Sequence, residues 1–145
     1  MRGFTLIETL ITTAVLVTGL VAVATIFSYS AGANITTQQR TTATVLLYEK
    51  MEHFKSAPLT EGIWIAGGSL NSGIPTSGYY DYATIDSAGG VSTSTTDSSL
   101  PYLRVWQIGE TAPRTITIAV SARKAGLTGR PMELVRATTM KGTSF

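Results

Sequence analysis

Met1-Arg2-Gly3-Phe4-Thr5-Leu6-Ile7-Glu8 opens the chain, and no charged residue follows until Arg40. A short basic leader ends at Gly3, an apolar segment starts at Phe4, and one acid, Glu8, sits inside it. From Phe4 to Phe27 there are 24 residues, of which thirteen are Leu, Ile, Val or Phe. A helix of that length spans about 36 Å, enough to cross a hydrocarbon core of about 30 Å. The thirteen large apolar side chains contribute about −6 kcal/mol to insertion, while a carboxylate costs up to about 3 kcal/mol at the bilayer centre and less near an end. The segment is expected to insert despite Glu8, and the acid is expected to find a partner at some stage. A secretory signal peptide is the competing reading, with Ser28 to Ala33 imitating a cleavage site. The meagre basic region and the acid within the apolar core weigh against it.

The remaining composition narrows the possibilities. The chain has 145 residues, 43% apolar and only 14% charged, against about 25% charged in typical soluble domains. A net charge of +2 gives no support to nucleic-acid binding. Arg114, Arg123, Lys124, Arg130, Arg136 and Lys141 make the last third basic, but Pro, Gly and apolar residues interrupt them, so they are expected on a solvated face. There is no cysteine, which removes disulfides, thiolate metal sites and a Cys nucleophile. The single histidine, His53, lies in a polar helical stretch and is expected at the surface.

The helical pattern continues beyond the apolar segment. Leu47, Met51 and Phe54 recur at spacings of four and three with Tyr48 beside them, a single apolar face at helical period. Pro58 ends the helix and biases Ala57 away from helical dihedrals. No proline interrupts Phe4 to Ala57; Gly19 and Ala31-Gly32-Ala33-Asn34 are the weak points. One helix from about Phe4 to Ser56 is expected, with its later part packing Leu47, Met51 and Phe54 on a globular head.

After Pro58 the pattern changes to short strands and turns rich in Gly, Ser and Thr. Gly62 to Ala66 and Tyr79 to Ile85 read as strands, and Asp86 to Ser99 as a surface loop. In the strand Tyr102 to Ile108, Tyr102, Trp106 and Ile108 share one face and Leu103 and Val105 the other. In Arg114 to Arg123, Ile116, Ile118, Val120 and Ala122 alternate with Thr115, Thr117 and Ser121. Gly126 to Pro131 reads as a turn and Met132 to Met140 as the closing strand. The expected class is α+β: a long N-terminal helix against a small antiparallel meander. Asp81, Asp86 and Asp97 read as solvated loop acids. No phosphate loop, calcium loop or convergent titratable set is present, so no enzyme, cofactor or metal is expected.

Gly3-Phe4-Thr5-Leu6-Ile7-Glu8 closely resembles the processing motif of type IV pilins and type II secretion pseudopilins. The resemblance implies cleavage between Gly3 and Phe4 by a prepilin peptidase and N-methylation of Phe4. It also implies a role for Glu8 in assembly, through pairing with the new amine at Phe4 on its own or a neighbouring helix. The domain plan it implies is a leader over 1–3, a transmembrane and filament-core helix over 4–27, its continuation over 28–56 and a β-rich head over 57–145. The stretch Tyr48 to Pro58, then Tyr102-Leu-Arg-Val-Trp106 and the strand Thr115 to Val120, resembles PilV-type minor pilins and I-type pseudopilins. Many major pilins carry a proline midway in the apolar segment; its absence here favours a minor subunit. The implied function is a minor type IV pilin in the tip or priming complex. Its implied partners are other pilin subunits, the peptidase, the inner-membrane assembly platform and membrane lipid. It would be a single-pass inner-membrane protein with its head outside the cytoplasm, later drawn into a pilus at the cell surface. A type II secretion pseudopilin, a major pilin and an anchored binding module that never polymerises remain open.

Overall fold

The computed structural model describes residues 5–111, 113–123 and 131–142. One helix, α1, runs without interruption over Leu6–Ser56. The chain divides into two compact units, Met1–Gln38 and Gln39–Phe145, with α1 passing through the boundary.

In the second unit six strands form an antiparallel sheet among the described residues. They are β1 (Gly67–Gly68), β2 (Tyr80–Ile85), β3 (Val91–Ser94), β4 (Tyr102–Ile108), β5 (Arg114–Ala122) and β6 (Met132–Lys141). The order is β3-β2-β4-β5-β6, with the two-residue β1 also on β4. This departs from a simple meander. β2 and β3 form a hairpin, and β4 then returns to the other side of β2. Val91–Ser94 falls within the segment expected to be a loop. Its turn is held by the Asp86 carboxylate, which accepts from the Ala88 and Gly90 amides at 2.9 and 2.8 Å. That bond pattern substitutes for an apolar period, which is why periodicity misses the strand. Gly62–Trp64 is a short 3-10 turn rather than a strand. It tucks Trp64 into the core, and the Trp64 indole donates to the Ala57 carbonyl at 3.4 Å. The expected turn at 126–131 falls largely on residues outside those described.

The core lies between the last turns of α1 and one face of the sheet. Ala43, Leu47, Met51 and Phe54 cluster with Trp64, Trp106, Ile108, Ile116, Ile118 and Val120, all buried. Phe54 meets Trp64 and Trp106 edge to face, with ring centroids 5.8 and 5.9 Å apart. Each such side chain contributes about 1.5–3 kcal/mol on burial. The opposite face carries a smaller cluster of Leu103, Val105 and Ala119, covered by Leu70, Tyr80 and Tyr82. The two faces of β4 therefore separate as alternation requires. Tyr48 stands outside the core, 58% exposed, because the apolar face of α1 is narrower than the local run of large side chains.

The end of α1 is closed from the sheet. Lys141 on β6 donates to the Lys55 carbonyl at 2.6 Å and also to the Ala57 carbonyl. A cation there satisfies orphan carbonyls and complements the helix dipole. Arg114, Arg136 and Arg123 are likewise engaged: with the Gly109 carbonyl, with Glu133 and with the Tyr82 ring.

Gly68 is the tightest backbone position. It has φ +86°, and a side chain there would press on the Trp106 carbonyl and the Tyr79 ring. Gly68→Ala is expected to lower stability by about 2 kcal/mol or more, whereas Gly62→Ala, in open space, should stay within about 1 kcal/mol; denaturant unfolding of the two variants checks this.

Candidate functional site: an uncovered apolar helix with one carboxylate

The start of α1 explains part of what Glu8 does. Thr5 precedes the helix, and its hydroxyl and carbonyl oxygens accept from the Glu8 amide at 3.4 and 3.1 Å. Thr5-Leu6-Ile7-Glu8 has the spacing of a capping box, in which a Glu at the third helical position answers the capping threonine. Only the threonine half is formed. The Glu8 side chain is exposed and, among the described residues, has no ion-pair partner. It is the acidic residue of the first turn, the end of a helix at which acidic side chains are favoured. The sequence signal for this cap is a Thr three residues before a Glu, which the apolar run beside it overshadows.

Every residue from Thr5 to Gln38 is exposed. Leu6, Ile7, Leu10, Ile11, Leu16, Leu20, Ile26 and Phe27 are each more than half exposed. α1 is long and apolar enough to cross a membrane. Its threonines do not spoil this. Thr12, Thr13, Thr18 and Thr25 each donate their hydroxyl to the carbonyl four residues earlier, at 2.6–2.7 Å. Their protons are thus satisfied within the helix, as a hydrocarbon surrounding requires. Glu8 remains the one Asp, Glu, Lys or Arg between Thr5 and Gln39.

Of the residues singled out in the sequence, Gly3 and Phe4 lie outside the described residues. Glu8 stands on the uncovered part of α1, while Leu47, Met51 and Phe54 are in the core. Sequence reading placed none of the charged residues in the core and took Asp81 for a solvated loop acid. Arg104 on β4 is 1% exposed. Its Nε and Nη2 donate to the two carboxylate oxygens of Asp81 at 2.6 and 2.9 Å. Its Nη1 donates to Glu49 at 2.5 Å and to the Leu46 carbonyl at 3.0 Å. Lys50 closes the group, 2.9 Å from Asp81 and 4.2 Å from the centre of the Trp106 ring. Asp81 is therefore a buried strand residue, not a solvated loop acid, because the β2–β4 register sets it directly opposite Arg104. Asp86 and Asp97 are exposed. Strict alternation along Tyr102-Leu103-Arg104-Val105-Trp106 already places Arg104 on the face of Trp106; that is the available signal.

Burial works most strongly against the charge on Arg104, but its hydrogen bonds and attraction to Asp81, and then to Glu49, outweigh it and raise its pKa above the usual arginine value. A raised folded pKa means that the stabilisation is complete below the unfolded value and is lost only as pH rises through the folded one. Arg104 thus stays charged throughout the range in which the protein is handled.

Arg104→Ala should cost about 3 kcal/mol, since it leaves buried Asp81 with Lys50 as its one remaining cation and Asp81 Oδ1 without its bond from Arg104; chemical unfolding measures this. Arg104→Lys should make stability fall more steeply than in the parent as pH rises past about 10.4, because the added lysine titrates there and an arginine does not; unfolding midpoints between about pH 8 and 12 distinguish the two. Within the apolar segment, Leu16→Asp should cost about 3 kcal/mol and shift the span towards half-insertion, read by glycosylation mapping in microsomes.

No protein-family model, curated protein or solved structure matches this chain.

Proposed function

We propose that this chain is a subunit of a type IV pilus, a minor pilin held in the inner membrane by α1 before assembly. The observation that carries the reading is the sequence Gly3-Phe4-Thr5-Leu6-Ile7-Glu8 leading directly into an uncovered apolar helix with one carboxylate. Cleavage after Gly3 creates an ammonium group four residues from Glu8. In a water-poor bundle of helices, an unpaired carboxylate is costly and a paired one favours a single axial register. The Phe4 amine of a neighbouring subunit is the natural partner. The exposed side chains from Leu6 to Phe27 would first face lipid and then the helices of other subunits.

The half-formed capping box favours a second reading, in which Glu8 serves only to start α1 and the protein is an anchored binding module. The charge on Glu8 separates the two. Gln also serves at the third position of a capping box, so Glu8→Gln keeps the cap and removes the ion pair. On the pilin reading Glu8→Gln inserts normally and is lost from sheared filaments; on the module reading it behaves as the parent does.

The absence of proline between Phe4 and Ala57 supports a minor subunit or a pseudopilin, since the helix carries no built-in breaking point. Abundance in sheared filaments distinguishes a major subunit from a minor one. The decisive measurement is the mass and N-terminal sequence of the protein from its native cell. A chain that begins at Phe4 with one added methyl group is expected; an intact Met1, or a start beyond Phe27, overturns the proposal.

A further inference from the structure

The topology of the sheet fixes the directions of its two edges. Every neighbouring pair in the order β3-β2-β4-β5-β6 is antiparallel, so β3, β4 and β6 run in one sense and β2 and β5 in the other. That sense is also the sense of α1 beside the sheet. Arg104 on β4 meets Leu46 and Glu49, and Trp106, two residues later, meets Phe54. Lys141, at the end of β6, reaches the Lys55 carbonyl near the end of α1. Both outer strands therefore point the way the helix points.

Edge strands are ordinarily guarded against pairing with another chain by bulges, charges, proline or shortness. β6 is ten residues long, and its guards lie in its first half: the register shift beside Leu134 and the Glu133–Arg136 ion pair. Ala137-Thr138-Thr139-Met140 carries no charge, proline or register shift, and Lys141 is turned onto α1. Thr138 and Met140 are exposed. Among the described residues no strand lies on the outer side of β6, and none on the outer side of β3. β3 is Val91-Ser92-Thr93-Ser94, also without charge or proline, with Ser92 and Thr93 exposed. The charged residues that bound the two bare stretches are opposite in sign: Asp86 and Asp97 for β3, Arg136 and Lys141 for β6.

We propose that residues 137–141 of β6 are a docking edge for β3 of a second copy of this chain, which adds there as a parallel strand. The choice of strand rests on the proposed function, in which neighbouring subunits hold their α1 helices parallel. β6 against β3 of the next copy meets that condition by simple side-by-side repetition. The two strands run in the same sense, and both helices stay on one face of the joined sheet. A β6–β6 contact instead inverts one helix or turns it to the opposite face. Main-chain bonds supply the attachment, as in other cases of strand addition to an open edge, and the opposite charges that bound the two stretches favour it. The hydroxyl-rich side chains also have a precedent within the sheet, where Thr117 and Thr138 on adjacent strands bond at 2.9 Å.

Disulfide trapping tests this, because the chain has no cysteine of its own. Ser94 stands opposite Tyr82 and Thr138 opposite Thr117, on the face of the sheet away from α1, and Ser92 shares that face. β3 and β6 of one sheet are four strand spacings apart, about 19 Å, whereas a disulfide spans at most about 7 Å between Cα atoms. A bond between the two edges therefore joins two copies. The full chain carrying Ser92→Cys/Thr138→Cys, or Ser94→Cys/Thr138→Cys to cover a shift of one pleat, is expressed in a bacterial inner membrane and oxidised beside the three single variants. The expected result is a ladder of dimers, trimers and longer adducts from one of the double variants, since a head-to-tail contact leaves a free edge on every added copy. The single variants should remain monomeric. A dimer from Thr138→Cys alone means a β6–β6 contact and overturns the proposal, as does the lack of a ladder from both double variants. Either result, from a chain that sits in the membrane and begins at Phe4, leaves the pilin reading standing. A chain that keeps Met1 and stays out of the membrane overturns both.

Discussion

The arrangement of the head depends on the contact between one narrow side of α1 and one face of a twisted sheet. Ala43, Leu47, Met51 and Phe54 lie at spacings of four, four and three, which puts them in a row along the helix. Trp106, Ile108, Ile116, Ile118 and Val120 offer a matching surface, because alternate residues of adjacent strands point the same way. The last turn of α1 is then secured by groups that belong to other elements: the Lys141 ammonium from the final strand and the Trp64 indole from the 3-10 turn. A helix end buried against a sheet must have its free carbonyls answered. Here the answer comes from residues seven to 86 positions away.

The same helix meets two different demands along its length. From Ala43 onward it buries apolar side chains in its own domain. From Leu6 to Phe27 its apolar side chains are uncovered, and its hydroxyls are turned back onto its own backbone. The polarity that remains there is concentrated in one carboxylate, at the end of the helix where the dipole favours negative charge. Such a segment suits lipid or other helices equally well. This is why the proposal of a subunit that moves from membrane to filament fits the chemistry of α1.

The extent of α1, its apolar segment and the row Leu47, Met51 and Phe54 were legible in the sequence, because helical periodicity and the stop at Pro58 are local signals. The alternation in Tyr102–Ile108 and Arg114–Ala122 was legible for the same reason. Val91–Ser94 was not, since a hairpin stabilised by the Asp86 carboxylate and main-chain bonds needs no apolar pattern. The 3-10 turn at Gly62–Trp64 also escaped, because Trp64 is drawn inward by Phe54 and the Ala57 carbonyl and not by strand pairing.

By itself, then, the sequence determined the local elements and the distribution of polarity: one long helix, its membrane-length apolar part, the lone Glu8 and the α+β class. The tertiary structure alone decided which distant charges meet. Asp81 reads as one acid among several in a polar stretch until β4 returns beside β2 and sets Arg104 opposite it. Glu49 and Lys50 read as ordinary helix surface until the apolar row turns them towards that pair. Periodicity reports which face a side chain takes, whereas the identity of its neighbour across the core depends on strand order and register, which are set by the packing of the whole domain.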